Sequence, residues 1–408
     1  MQTHKRLSNP SVLLTVVCLC AISLSAQSTN PKFRRPGFPS GGATENATVP
    51  PTTQAWTLLF PNYDPVTIPN YLGGQVAAYD SATNSLIAFG GQDDTGMLNA
   101  VMALSNANGS ATGTWTIVLP SGAAGSPSAR DFDTGVYDSA NSRLIVFGGC
   151  GFSGLYCTAV QNDVWVLSNA NSVNGTPTWT QLTPSGTLPP ARWGHAAAYD
   201  PINNRMVIYG GDNLNVTFGD TWVLSNANGL GGTPAWTKLI PTGAPDGQDD
   251  PTVVYDSAHN VMILFGGRRA NFGQDVNSVW TLSNANGMGG TPAWTKLIAT
   301  GTVGSPPRRD SHFAAYDGSN NRMIIFGGNS NTSTGFPELN DTWVLANASG
   351  FGGTPQWTKL RPSGPTPDRR TAPVGGYDLV NNRFIMCSGF SFEALFYSAW
   401  VLSGANGL

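Results

Sequence analysis

From Trp56 to its end the chain repeats itself six times, with the same four landmarks in the same order. A Tyr-Asp pair comes first, at Tyr79, Tyr137, Tyr199, Tyr255, Tyr316 and Tyr377. Ten residues later stands an aromatic-Gly-Gly, at Phe89, Phe147, Tyr209, Phe265 and Phe326, degraded in the sixth copy to Cys387-Ser388-Gly389. Next comes a W-V-L-S-N-A segment around Trp165, Trp222, Trp280, Trp343 and Trp400, with Met102 in the first copy. A W-T segment supplies the last landmark, at Trp56, Trp115, Trp179, Trp236, Trp294 and Trp357. A period of this length belongs to solenoids and propellers. The third copy parses as H-A-A-A-Y, R-M-V-I-Y-G-G, T-W-V-L-S and A-W-T-K-L: short β-branched and aromatic runs between turn signals, without helical periodicity.

Four-stranded units of this kind pack radially as blades. The sequence therefore predicts an all-β chain, a six-bladed β-propeller of four-stranded blades over residues 53–408. Trp56 precedes the first Tyr-Asp, and the chain ends eight residues after Trp400 without a W-T strand of its own. The strand around Trp56 is thus expected to complete the last blade and remove an open sheet edge. Trp and Tyr supply the apolar area that joins twisted sheets. Gly-Gly lets a strand bend or another backbone approach closely. An Asp opening a turn bonds its own backbone two residues on, so the six Asp of the Tyr-Asp pairs read as turn formers. A Gly-rich phosphate loop is disfavoured because no helix follows any Gly-Gly.

Charged residues make up 11% of the chain, against about 25% in typical soluble domains. Gly, Asn, Ser, Thr and Pro fill the gap, which suits an extracellular β protein rich in turns. A net charge of −3 leaves no broad basic surface, so nucleic acid is not an expected partner. His4-Lys5-Arg6 followed by the apolar stretch Ser11 to Leu24 reads as a signal peptide over residues 1–26, too short to span a bilayer. Residues 27–52 read as a Pro/Gly-rich leader. A secreted, periplasmic or cell-surface monomer is expected, without a membrane span once the signal is removed. Cys150 and Cys157 lie in one loop and are placed to close a small disulfide ring in an oxidising compartment. Cys387, at an aromatic position of the repeat, reads as a buried apolar thiol.

The landmarks resemble the Kelch motif and, at superfamily level, the central domain of galactose oxidase. The resemblance covers about residues 53–408. The repeats are about 60 residues, longer than the usual Kelch length of about 50, because S-N-A-N-G-L-G-G-T-P-like segments enlarge the link between strands three and four. Blade one has Leu72 and Met102 where others have Arg and Trp, and blade four has Gln248 for Arg. Propellers host binders and enzymes alike, so the fold leaves function open.

Strand direction places the start of strand one, the Gly-Gly and the loop after it on one face. Arg130, Arg192, Arg309 and Arg370 stand seven residues before the Tyr. Asp131, Trp193, Asp249 and Asp310 follow directly, and Asp133, His195 and His312 stand four before the Tyr. With strand one innermost, these residues ring one mouth of the channel. The arginines are either forked donors to a polar ligand or pins between blades. His195 and His312 read as structural rather than metal ligands. Trp193 either stacks on a sugar ring or packs inward. The loops after Gly-Gly differ between blades, where a propeller individualises its partner. One of them, with Phe390, Phe392, Leu395 and Phe396, is either a contact patch or a cover for blade six.

Radical-copper oxidase chemistry is rejected, since it needs a Tyr–Cys crosslink with two Tyr and two His ligands. After the signal only His195, His259 and His312 remain, and His259 belongs to a turn on the other face. No cofactor or metal is expected. The leading reading is a secreted, non-catalytic module binding a protein or carbohydrate. The alternative is a carbohydrate-active enzyme like the sugar epimerases among secreted bacterial Kelch propellers, although their Glu/Arg arrangement is not identifiable here.

Overall fold

The computed structural model describes residues 54–59, 73–93, 96–153, 156–173, 175–269, 273–331, 337–392, 396 and 398–408. The expected signal peptide over residues 1–26, the whole leader over residues 27–52, Leu72 and Leu395 lie outside them. Six four-stranded antiparallel sheets form the blades. The first strands are Val76–Asp80, Thr134–Asp138, Ala196–Asp200, Thr252–Asp256, Phe313–Asp317 and Val374–Asp378. Each contacts the first strands of both neighbouring blades, so together they ring the axis. Crowding there selects small residues. A Cβ added to Gly135 would lie 2.2 Å from Val76 Cγ1, and one added to Gly376 would lie 2.2 Å from Tyr79 Cβ.

Second strands such as Arg143–Phe147 and Arg322–Phe326 bury four successive apolar residues. Alternation is lost because both sheet faces are covered by neighbouring blades. The fourth strands, such as Ala235–Leu239, bury the Trp and expose the next two residues, with Trp236 buried and Thr237 and Lys238 exposed. The core is divided among six clusters, each joining two adjacent blades. In five of them the W-T tryptophan of one blade meets the aromatic-Gly-Gly ring of the blade before it. These pairs are Phe89–Trp179, Phe147–Trp236, Tyr209–Trp294, Phe265–Trp357 and Phe326–Trp56, at 4.8–5.3 Å between centroids. In the sixth, Trp115 shares its cluster with Cys387. Such ring pairs contribute about 0.5–1.5 kcal/mol each beyond their buried area.

The ring closes as the sequence predicts. Ala55–Leu59 pairs antiparallel with Ala399–Ser403, Trp56 opposite Leu402. Trp56 then packs on Phe326 of blade five, joining the two ends of the chain.

The Asp turns also form. Oδ1 of Asp80, Asp138, Asp200, Asp256, Asp317 and Asp378 accepts the backbone N–H two residues on, at 3.0–3.2 Å. The second carboxylate oxygen has a job not read from the sequence. It accepts from an Asn of the next blade: Asn171 to Asp80, Asn228 to Asp138, Asn286 to Asp200, Asn406 to Asp317 and Asn108 to Asp378, at 2.6–2.9 Å. This belt staples blade to blade on the turn face. At the seam of blades four and five Ser349 replaces the Asn, and within the turn Asp256 holds His259, three residues on, at 2.8 Å, as the other Asp turns hold Thr83 or an Asn; the His259 ring stacks on Phe351.

Candidate functional site

The opposite face is built in three tiers. The residue after the Arg position pairs with the residue after Gly-Gly in all six blades: Gly73–Gln92, Asp131–Cys150, Trp193–Asp212, Asp249–Arg268, Asp310–Asn329 and Thr371–Phe390. The variable loops therefore stand over the channel mouth. In the second tier Gly74, Phe132, Gly194, Asp250, Ser311 and Ala372 all have left-handed backbones, φ 48–67°. Phe132 N donates to Gly74 O, Gly194 N to Phe132 O, Asp250 N to Gly194 O, Ser311 N to Asp250 O, and Ala372 N to Ser311 O, at 2.7–3.0 Å. A belt of main-chain bonds thus runs from blade to blade around the axis. The third tier is Gln75, Asp133, His195, Pro251, His312 and Pro373, directly before the first strands. The second Gly of each Gly-Gly lies against this tier. A Cβ on Gly211 would stand 2.8 Å from His195 Cβ, and one on Gly149 would stand 2.6 Å from Asp133 Cβ.

The lower two tiers line an open-mouthed cavity of about 110 Å³ on the axis. Of the residues expected at the mouth, Asp133, His195 and His312 line it. Asp131, Trp193, Asp249 and Asp310 form part of the rim above.

Arg130, Arg192, Arg309 and Arg370 do not face the channel as donors; this expectation is corrected. All four are fully buried. Arg130 Nη1 donates to Asp163 Oδ1 at 2.6 Å and to Gly148 O at 2.9 Å, and Nη2 donates to Asp163 Oδ2 at 3.0 Å. Arg192 does the same with Asp220 and Gly210 O, and Arg309 with Asp341 and Gly327 O. Each Asp also accepts from the indole two residues on, Trp165, Trp222 or Trp343. In blade six Ser398 replaces the Asp between Arg370 and Trp400. Burial pushes the Asp163 carboxyl up, but Arg130 outweighs it and holds it below the usual value. These arginines fasten strand one to strand three inside their own blades. The missed partner had a sequence signal, an Asp two residues before the Trp.

With the arginines withdrawn, the mouth is a surface of acceptors. Arg268 gathers three carboxylates: Asp249 at 2.6 Å, Asp250 at 3.4 Å and Asp310 at 3.6 Å. Asp275 is buried beside them, pushed up to about 9 by burial and the nearby Asp310. Burial also raises Asp310 and Asp212. Asp131, whose carboxylate lies where a side chain on Gly74 would go, is pushed up to about 7 by burial. Asp133 is 7% exposed, and neither carboxylate oxygen has a hydrogen-bond partner. Burial holds it well above its usual value. His195 Nε2 lies 2.5 Å from Thr134 Oγ1, and His312 Nε2 lies 2.6 Å from Thr252 Oγ1. Burial, then the charge of Arg192 or Arg309, keeps both imidazoles neutral at pH 7, with Nδ1 unpartnered.

On the side of blades two and three the mouth is apolar. The Cys150–Cys157 disulfide forms and packs with Trp193, flanked by Phe132, Val160 and Leu214. Trp193 is buried edge-on against Phe132, so of its two expected roles the structure takes inward packing. Phe132 is the half-buried aromatic that lines the cavity. In blade six Phe390 is buried against Gly73 while Phe392 is exposed, so the loop serves partly as cover and partly as surface. Cys387 is a buried free thiol pushed up to about 11 by burial.

The KLHDC2/KLHL20/DRC7 Kelch-repeats domain model matches residues 47–229, 159–286 and 232–406. Adagio-like protein 3 of Oryza sativa subsp. japonica is 30% identical over 192 residues, 46% of this chain and 28% of that protein. Multiple epidermal growth factor-like domains protein 8 of Homo sapiens is 26% identical over 311 residues, 74% of this chain and 10% of that protein. The chain thus spans less than a third of either relative. Among solved structures, "Structure of YjhT" superimposes with a TM-score of 0.60 at 18% identity, covering 82% of this chain and 95% of that one, a likeness of fold.

Proposed function

Because the chain belongs to the Kelch-repeat family of β-propellers, we propose that it is an interaction module that holds a protein or glycan ligand at the loop-bearing mouth without turning it over. The observation that carries this reading is the asymmetry of the two faces. The turn face is a near-uniform Asn–Asp belt, whereas the mouth breaks the repeat in every blade and surrounds a cavity with unpartnered polar atoms. We further place it outside the cytoplasm, secreted, periplasmic or at the cell surface, as a monomer. The n-region and apolar stretch at the N-terminus and the Cys150–Cys157 bridge support that compartment.

The test is glycan-array and partner capture with the folded chain and its Phe132→Gly variant. Glycine already occupies the matching left-handed position in blades one and three, so the main-chain belt tolerates it. Loss of capture in Phe132→Gly supports the mouth. Capture that survives it and is abolished by Phe351→Ala on the other face refutes it. One observation favours a second reading, a carbohydrate-active enzyme of the epimerase kind. Asp133, a buried acid without a partner, shares the cavity with two neutral imidazoles, a set able to donate and accept a proton. Turnover of a sugar anomer or epimer by the wild type and not by Asp133→Asn would establish it.

A further inference from the structure

We propose that the axial cavity is a receptor for a primary alkylammonium group. This rests on the mouth being the ligand-binding face, and it names the chemistry of what enters. The cavity's unpartnered atoms are mostly acceptors. Both oxygens of Asp133 lack a partner, and Gln75 Oε1 lacks one because its amide nitrogen already donates to Ser388 Oγ. Asp250, held from outside by Arg268 at 3.4 Å, adds a second carboxylate to the lining, and Phe132 adds an aromatic face. The αL tier above the cavity is half-exposed at Phe132, Asp250, Ser311 and Ala372, whereas the Asp133 and Gln75 acceptor oxygens are buried beneath it, so an entering group engages them as those side chains turn toward it.

The matching ligand therefore carries a positive charge and several donors on a narrow stem. An ammonium has three donors and no acceptor; a guanidinium is planar and wider. A volume of about 110 Å³ holds only a few water-sized groups. A bare metal ion fits less well, since among the described residues no three His, Cys, Asp or Glu side chains are grouped as metal ligands. Burial, reinforced by the charges of Asp131 and Asp163 and only partly opposed by Arg130, holds Asp133 well above its usual value, and an entering cation adds counter-charge that favours its ionised form. The rim repeats the same bias: Asp249, Asp250 and Asp310 share a single guanidinium, Arg268.

The experiment is calorimetric titration of the full chain at pH 8 with n-butylammonium and with Nα-acetyl-lysine amide. Nα,Nε-diacetyl-lysine amide serves as the uncharged control. Saturable binding of either ammonium probe, absent with the control and weakened about tenfold or more in Asp133→Asn and in Asp250→Asn, supports the site. Binding of n-butylammonium alone assigns it to free amines, and binding of both extends it to a lysine presented by a partner. The proposal is overturned if neither probe binds in the millimolar range, if the diacetylated control binds as well, or if both variants keep their thermal transition and their affinity. Glycan or protein capture that persists in that case leaves the module reading standing and removes only the ammonium assignment.

Discussion

The Arg–Asp–Trp arrangement makes a quantitative prediction, because blade one lacks all three members together. Its residues at those positions are Leu72, Ala100 and Met102. In blade two, replacing Arg130 by Leu removes a fully buried guanidinium whose fork holds Asp163 at 2.6 and 3.0 Å and whose Nη1 satisfies Gly148 O. What remains is a mostly buried carboxylate with one indole donor and an orphaned carbonyl. Breaking a buried pair from one side costs about 3–5 kcal/mol. Asp163→Ala from the other side strands the guanidinium at a similar cost. The double variant Arg130→Leu/Asp163→Ala removes both charges and leaves only a void, an orphaned carbonyl and the Trp165 Nε1 donor. It should therefore cost well under the sum, with a coupling energy of about 2–3 kcal/mol. Equilibrium urea unfolding followed by tryptophan fluorescence at pH 7 measures all four corners of the cycle. Coupling within about 0.5 kcal/mol of zero would refute the claim that the two residues act as one buried unit.

Trp56→Ala should cost about 3–5 kcal/mol, comparable to Trp236→Ala, because both rings fill a blade seam; a near-neutral Trp56→Ala in the same unfolding assay would sink the closure. Gly211→Ala places a side chain at φ +90° and 2.8 Å from His195 Cβ and Trp193 O, whereas Gly122→Ala at φ +80° meets nothing within 4 Å. The second should cost about 1–2 kcal/mol and the first at least about 1 kcal/mol more, and equal losses would contradict the packing of Gly-Gly on the inner tier. Asp131 has a folded pKa raised to about 7 against 3.8 when exposed. Its contribution is therefore fully present below about pH 4 and is lost as pH rises through 7, up to about 4 kcal/mol. Asp131→Asn should flatten stability between pH 4 and 8, and parallel curves for the two proteins would count against burial as the cause.

The fold was legible because packing repeats. Tyr-Asp and the W-T tryptophan recur in all six copies, and aromatic-Gly-Gly and the W-V-L-S-N-A tryptophan in five of six, so even the strand around Trp56 could be assigned to blade six. The site was less legible because its defining property is main-chain. The left-handed tier is Gly74, Phe132, Gly194, Asp250, Ser311 and Ala372, which share a backbone conformation and no side-chain type. The arginines misled for the opposite reason. Their position beside the mouth was right, but an Arg points where its carboxylate is, and Asp163, Asp220 and Asp341 lie at strand three, two strands away inside the blade. Asp stands before Trp in three of the four blades with the Arg. It is absent where the Arg is absent, with Ala100 in blade one and Ser278 in blade four. Comparing the copies for joint substitution finds that pairing.

The chain of main-chain hydrogen bonds linking the six left-handed residues also makes the aperture a property of the number of blades. The N–H groups of Phe132, Gly194, Asp250, Ser311 and Ala372 each reach the carbonyl of the preceding blade at 2.7–3.0 Å, so blades two to five cannot retreat without breaking links to both neighbours. Side chains at these positions tune what lines the opening, but its diameter is gauged by the backbone. On the proposed reading of this face, a ligand would meet an opening framed by main chain, with side-chain variety left to the hairpins above it.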